Sequence, residues 1–167
     1  MIRVGILTIS DRSARGERPD IGGPLIAEII SRQLGWECSL TAVVPDDVDQ
    51  IRETLIHWAD QRQAALILTT GGTGFALRDV TPEATRAALE REAPGIPEAL
   101  RAASLTITQH AMLTRQVAGI RKQTLIINLP GNPKAVRENL EVLIPVLPHA
   151  LELLGNDPNA EVGHRSV

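Results

Sequence analysis

The chain has 167 residues, 43% of them hydrophobic, which is enough for one sizeable buried core and too little for two ordinary domains. With 17 basic residues against 20 acidic ones the net charge is −3, so no overall positive field draws in a nucleic-acid backbone, and a chain with no Tyr and one Phe also lacks base-stacking platforms. The single cysteine, Cys38, excludes an internal disulfide and every multi-cysteine metal site, and fits a reducing compartment.

Residues 2–9 read as a buried strand, without the basic start and long apolar centre of a secretory signal and with no spanning segment after it. The expected location is the cytoplasm, with no membrane partner. Pro24 opens a helix whose apolar positions Leu25, Ile26, Ile29, Ile30 and Leu34 follow helical spacing, and Gly35 closes it. "CSLTAVV" is the next strand, which makes Cys38 a buried, inert thiol. After Pro45, the residues Val48, Ile51, Leu55 and Trp58 form the stripe of a second helix, and residues 65–70 are apolar enough for a strand covered on both faces. This β-α-β-α-β order predicts an α/β fold with a mostly parallel sheet, helices on both faces and ligands outside the carboxyl ends of the strands.

A glycine turn follows. Gly71, Gly72 and Gly74 let the backbone turn tightly with its N–H groups exposed, an arrangement that cradles phosphate but is also the ordinary joint between any strand and helix. It is neither a dinucleotide fingerprint, since G-x-G-x-x-G is absent, nor a P-loop, since no Lys-Ser/Thr pair follows. Thr81 is predicted to cap a helix with Pro82 and Glu83 in its first turn, which leaves Asp79, between turn and helix, with neither task. Farther on, a helix is expected near 97–108 and an extended piece near Val117 to Ile120. "TLIINL" is a strand and "PGNP" a turn. Asn132 and Pro133 then start a helix with Val136, Leu140 and Leu143 on one side, which Pro145 and Pro148 should kink or break. A single domain over residues 1–155 is expected, with 156–167 a flexible tail.

"TISDR", "VVPDD", the glycine turn and "NLPGNP" all fall at the same edge of such a sheet. Asp11 is expected to cap a turn, and either Asp46 or Asp47 to cap the next helix; Asp47 with Gln50 resembles a capping box, which leaves Asp46 over. Asp46 and Asp79 are then two unemployed carboxylates beside a candidate phosphate cradle. Magnesium, held by one or two carboxylates plus phosphate oxygens, would reconcile their charge with a phosphate. Arg78, Arg115 and Lys134 are nearby cations, or ordinary surface; Arg121 and Lys122 read as solvated surface. His57, His110, His149 and His164 show no ligand spacing.

The five segments "TISDR", "VVPDD", "TTGGTGFALRDVTPEAT", "LTRQVAGIRKQTLIINLPGNP" and their spacing resemble the MogA/MoaB family, and most closely its molybdopterin adenylyltransferases, including the G domain of gephyrin. The resemblance runs from residue 3 to about 155. It implies a three-layer α/β/α sandwich, a homotrimer, and transfer of AMP from Mg-ATP to the terminal phosphate of molybdopterin, with hand-over to a molybdenum-insertion protein. Carried over residue by residue, it puts Asp46 and Asp79 in catalysis and Mg binding. Gly71, Gly72, Thr73 and Gly74 would hold phosphate, and Asn128, Pro130, Gly131 and Asn132 would shape the nucleotide pocket. Thr8, Ser10, Asp11, Thr114 and Arg115 would lie on its walls or on the pterin side. At Thr114 many relatives carry Ser; the hydroxyl is kept and a methyl added. The related MoeA and CinA domains usually carry different glycine turns, closer to GGVS-x-G and GGLGPT-x-D-D. A MoaB-type binding or assembly protein with little transferase activity is the alternative within the family, and the presence of both Asp46 and Asp79 speaks against it.

Overall fold

The computed structural model describes residues 2–155, so the tail expected from 156 onward lies outside the described residues. The strands are β1 (Arg3–Ile9), β2 (Glu37–Val44), β3 (Leu66–Thr70), β4 (Arg91–Glu92), β5 (Ala118–Arg121) and β6 (Thr124–Leu129). They form one six-stranded sheet in the order β2-β1-β3-β6-β5-β4. The ladders joining β2, β1, β3 and β6 are parallel, while β5 and β4 extend the sheet antiparallel. Parallel neighbours need long crossovers, and helices supply them on both faces.

The helices are α1 (Asp11–Ala14), α2 (Gly22–Leu34), α3 (Val48–Asp60), α4 (Thr81–Ala88), α5 (Gly95–Leu105), α6 (Pro133–Leu143) and α7 (Leu147–Leu154). Alternation along the central strands splits the core in two. Val4 and Ile6, Leu66 and Leu68, Leu125, Ile127 and Leu129 pack with α2, α5, α6 and α7. Leu7, Ile9, Ile67 and Ile126 meet Ile51, Leu55 and Trp58 of α3 and Ala84 and Ala88 of α4 on the other face. The expected three-layer α/β/α sandwich is the observed one.

Several local expectations need correction. Helix α2 starts at Gly22, two residues before Pro24; its cap position, Ile21, makes no side-chain bond, and Asp20 just ahead of it accepts from Gly23 N through Oδ1 at 3.0 Å. The single turn α1 was not foreseen; Ser10, whose Oγ accepts from Ser13 N at 3.2 Å, caps it. Helix α5 ends at Leu105, before the expected 108, and a 3₁₀ turn at Gln109–Leu113 follows. Pro145 separates α6 from α7, but Pro148 breaks nothing: it lies in the first turn of α7, where no hydrogen bond is lost. Cys38 is half-buried rather than buried, although burial does push its thiol pKa up.

Arg121 is not solvated surface. Its guanidinium forks onto Asp60 at 2.9 and 2.6 Å, Lys122 Nζ stands 3.2 Å from the same carboxylate, and the side chains of Arg121 and Asp60 are 18% and 13% exposed. The hydrogen bonds from Arg121 hold the Asp60 carboxyl below its ordinary range. An acid whose folded-state pKa is depressed stabilises the fold above its unfolded pKa, and that contribution is lost as pH falls through the folded value. Asp60→Asn should therefore lower stability at neutral pH by about 1 kcal/mol, with the difference from wild type vanishing in strong acid. Thermal melts of both proteins across that range would check this; a gap that stays constant with pH would contradict it.

Candidate functional site

The parallel strands end level. Ile9 lies opposite Val44, Thr8 opposite Thr70, and Thr70 opposite Leu129, so the segments after β1, β2, β3 and β6 leave the sheet in one row. The glycine turn occupies the middle of that row. Gly71 and Gly72 have φ of 99° and 65°, and a Cβ on Gly71 would stand 2.3 Å from the carbonyl oxygen of Ile9. Gly71 N donates to Leu129 O at 3.3 Å, which ties the turn to β6. Thr81, expected as a cap, is instead the first residue of α4: its Oγ1 donates to Gly71 O at 2.9 Å and its N to Gly72 O at 3.1 Å. The helix begins one residue early, which turns the hydroxyl onto the glycine carbonyl. Pro82 and Glu83 do fall in its first turn.

Asp47 is the cap of α3, its Oδ1 accepting from Gln50 N at 2.9 Å, as its spacing from Gln50 predicts. Asp46 is not idle, however. Asp11 N donates to Asp46 Oδ2 at 2.9 Å and Asp46 N to Asp11 Oδ1 at 3.0 Å, a reciprocal latch between the segments after β1 and β2. Asp11 also receives the Arg78 guanidinium at 2.9 Å on each oxygen, so rather than capping a turn it joins three segments. The Arg78 hydrogen bond holds the Asp11 carboxyl low, whereas burial, assisted by the charges of Asp11 and Asp79, pushes that of Asp46 up. Asp79 closes its own loop: Ala76 N donates to its Oδ2 at 3.0 Å and Asp79 N to Ala76 O at 2.9 Å.

Both carboxylates border the glycine turn. Asp46 Oδ1 would be 3.0 Å from a Cβ on Gly72, and Asp79 Oδ2 2.8 Å from one on Gly74. A cleft of about 380 Å³ adjoins the turn and is lined by Thr8, Ser10, Gly71, Gly131 and Asn132, together with Ser13, Arg18 and Asp20, which sequence reasoning passed over. Asp46 and Asp79 are not part of this lining. Asp20 had a local signal, since it precedes Gly23 by the spacing of a cap; its Oδ2 also accepts from Thr8 Oγ1 at 2.8 Å. Asn132 caps α6 by accepting from Lys134 N at 2.8 Å, and Pro130 O accepts from Thr70 Oγ1 at 2.8 Å.

The family model described as "Probable molybdopterin binding domain" matches residues 5–149. The chain belongs to this family. Molybdopterin adenylyltransferase of Helicobacter pylori strain J99 is 45% identical over 157 residues, 93% of this chain and 89% of that protein. Gephyrin of Dictyostelium discoideum is 48% identical over 174 residues and covers 98% of this chain, which in turn spans 24% of gephyrin. The crystal structure of the molybdopterin biosynthesis enzyme MoaB of Thermus thermophilus superposes with a TM-score of 0.88 at 50% identity, over 94% of this chain and 98% of that one.

Within this member of the family, other residues named from the sequence sit apart from the cleft. Asn128 is fully buried: its Nδ2 donates to Thr69 and Thr85 Oγ1 at 2.9 Å each, and its Oδ1 accepts from Val117 N at 3.2 Å, so it supports the site from beneath. Thr73 is buried in the turn. Thr114 Oγ1 donates to Gln116 Oε1 at 3.0 Å, and the Arg115 side chain points onto the loop that carries Asp79. Lys134 is exposed, 3.8 Å from Glu138. Among the described residues no group of three or more His, Cys, Asp and Glu is placed to hold a metal, which excludes a cage made by them alone. Two carboxylates beside a glycine turn nevertheless fit magnesium, which is commonly held by one or two carboxylates and substrate phosphates.

Asp47→Asn should cost about 1 kcal/mol or less, since Asn caps nearly as well, and should leave function intact, whereas Asp46→Asn removes the charge at the turn and should abolish turnover. Melting curves and adenylyl-transfer rates of both variants decide between the neighbours. An inactive Asp47→Asn beside an active Asp46→Asn would reverse the assignment.

Proposed function

We propose that the chain is a molybdopterin adenylyltransferase that moves AMP from Mg-ATP to the terminal phosphate of molybdopterin and releases pyrophosphate. The observation that carries this reading is the pair Asp46 and Asp79 held against one glycine turn at the row of strand ends. Support comes from the adenylyltransferase relative, of which the chain covers 89%.

A phosphate monoester is largely dianionic near neutrality, so its oxygen attacks the α-phosphorus of the nucleotide without a general base. A new P–O bond forms as the bond to the β-phosphate oxygen breaks, and pyrophosphate departs with the electron pair. The catalytic problem is to hold two polyanions together and stabilise the charge gathering on the leaving group. Asp46 and Asp79 would hold the magnesium, which, when bound, neutralises phosphate charge. With the Gly71 N–H taken by Leu129 O, the turn would offer the backbone N–H groups of Gly72 to Gly74, and the cleft between Thr8, Ser10 and Asn132 would accept one small ligand beside it.

Incubating the pure protein with molybdopterin, ATP and magnesium should yield adenylylated pterin and pyrophosphate. Binding of molybdopterin without turnover would instead favour the MoaB-type assembly role. The reading extends to a cytoplasmic homotrimer, in which a three-fold ring satisfies every head-to-tail contact, and light scattering over a dilution series measures it. It also includes hand-over of product to a molybdenum-insertion protein. Gephyrin, which continues far beyond its matched part, supports a following step on a joined domain.

A further inference from the structure

We propose that Arg115 is a positioning residue that sets Asp79, working from a buried amide support instead of contacting a ligand. The inference rests on the transferase reading for its effect on turnover, though not for its effect on the loop itself.

The loop from Gly74 to Asp79 has little apolar burial to order it, since Phe75 is 68% exposed and Leu77 fully exposed. Polar contacts must do so. Arg115 Nε donates to Gly74 O at 2.7 Å and Nη2 to Asp79 O at 2.6 Å, while Nη1 meets the Glu83 carboxylate in the first turn of α4. Its backbone N donates to Thr73 O at 2.8 Å. One planar guanidinium thus brackets both ends of the loop, and each of its three nitrogens already has an acceptor within the protein. Three of its five N–H donors, including the only one on Nε, are thus spent inside the protein.

The bracket is held rigidly from behind. Gln116, 5% exposed, donates through Nε2 to Asn128 O at 2.8 Å and to Asn139 Oδ1 at 2.9 Å, and its Oε1 receives the Thr114 hydroxyl at 3.0 Å. Asn139 Nδ2 continues to Ser104 Oγ at 3.2 Å. The residues on either side of Arg115 are therefore fixed to β6, α6 and α5, and the arginine transmits that fixity to the Asp79 loop. Lysine cannot reproduce this, because a single ammonium does not span two carbonyls and a carboxylate as the planar fork does.

The test compares the full-length protein with Arg115→Lys, and with Glu83→Gln, which keeps an acceptor but removes the charge. Amide hydrogen exchange without ligand should be at least about tenfold faster across residues 74–80 in Arg115→Lys, with β1 and β3 unchanged. In turnover, kcat should fall about 100-fold and the magnesium needed for half-saturation should rise about tenfold. Affinity for molybdopterin alone should stay within about threefold, and Glu83→Gln should move each quantity in the same direction by less. Unchanged exchange with a pterin affinity lowered tenfold or more would overturn the proposal in favour of direct ligand contact. Exchange accelerated equally in β1 and β3 would overturn it in favour of a general stabilising role. Should the wild type lack transferase activity, the exchange pattern still decides the positioning role by itself.

Discussion

Asp79→Asn is expected to reduce adenylyl transfer by roughly 100- to 1,000-fold while the protein folds and binds molybdopterin as before. Asn keeps a carbonyl oxygen where Asp79 Oδ2 accepts from Ala76 N at 3.0 Å, so the loop retains its closure and the change is one of charge. Loss of transition-state stabilisation lowers kcat and kcat/KM together, whereas a disturbed pocket would chiefly raise KM. Single-turnover measurements over a range of magnesium concentrations separate these cases. A variant retaining more than about a third of wild-type turnover would remove Asp79 from the metal assignment.

Gly71→Ala should be the most damaging small substitution in the site. Its Cβ would come 2.3 Å from the Ile9 carbonyl oxygen, and the φ of 99° is one that an L-residue rarely adopts. Neither obstacle can be relieved by rotating a side chain, because the blocking atom belongs to the backbone of a central strand. Strain and overpacking together should cost about 3 kcal/mol or more, seen as a fall in melting temperature of about 6 to 12 °C. Gly95→Ala is the control: nothing lies within 4 Å of a Cβ there, and a change within about 0.5 kcal/mol is expected. Equal melting temperatures for wild type and Gly71→Ala would mean that the turn is free to adopt another path.

What was legible in the sequence was what periodicity and local spacing encode. The continuous apolar runs of β1, β3 and β6 and the stripes of α2, α3 and α6 each carry their own signal, and the three-position spacing of Asp47 and Gln50 is enough to separate a cap from its neighbour. β4 was invisible because two exposed charged residues have no period; only pairing with β5 makes them a strand. The partnerships Asp11 with Arg78 and Asp60 with Arg121 join residues far apart in the chain, and no local pattern announces them. Thr81 shows a finer limit. A one-residue shift in the helix start changed its task from capping α4 to holding Gly71. Asn128 was within reach of stricter reading: in β6 it shares a face with Ile126, toward α3 and α4, and so does not point into the cleft.

The strand order has a consequence for how the protein comes into being during synthesis. β3, which bears the glycine turn, lies between β1, made long before it, and β6, made long after. The partners that fix the turn include Leu129 O for Gly71 N and Pro130 O for the Thr70 hydroxyl, and both arrive with β6. Closing such long stretches of chain costs entropy before any contact returns it. A nascent chain that stops short of β6 therefore has a turn with unfavourable dihedrals and no carbonyls from that strand to hold it. On the transferase reading, a polypeptide made only as far as β5 lacks these partners of the turn, so competence to bind arrives with β6.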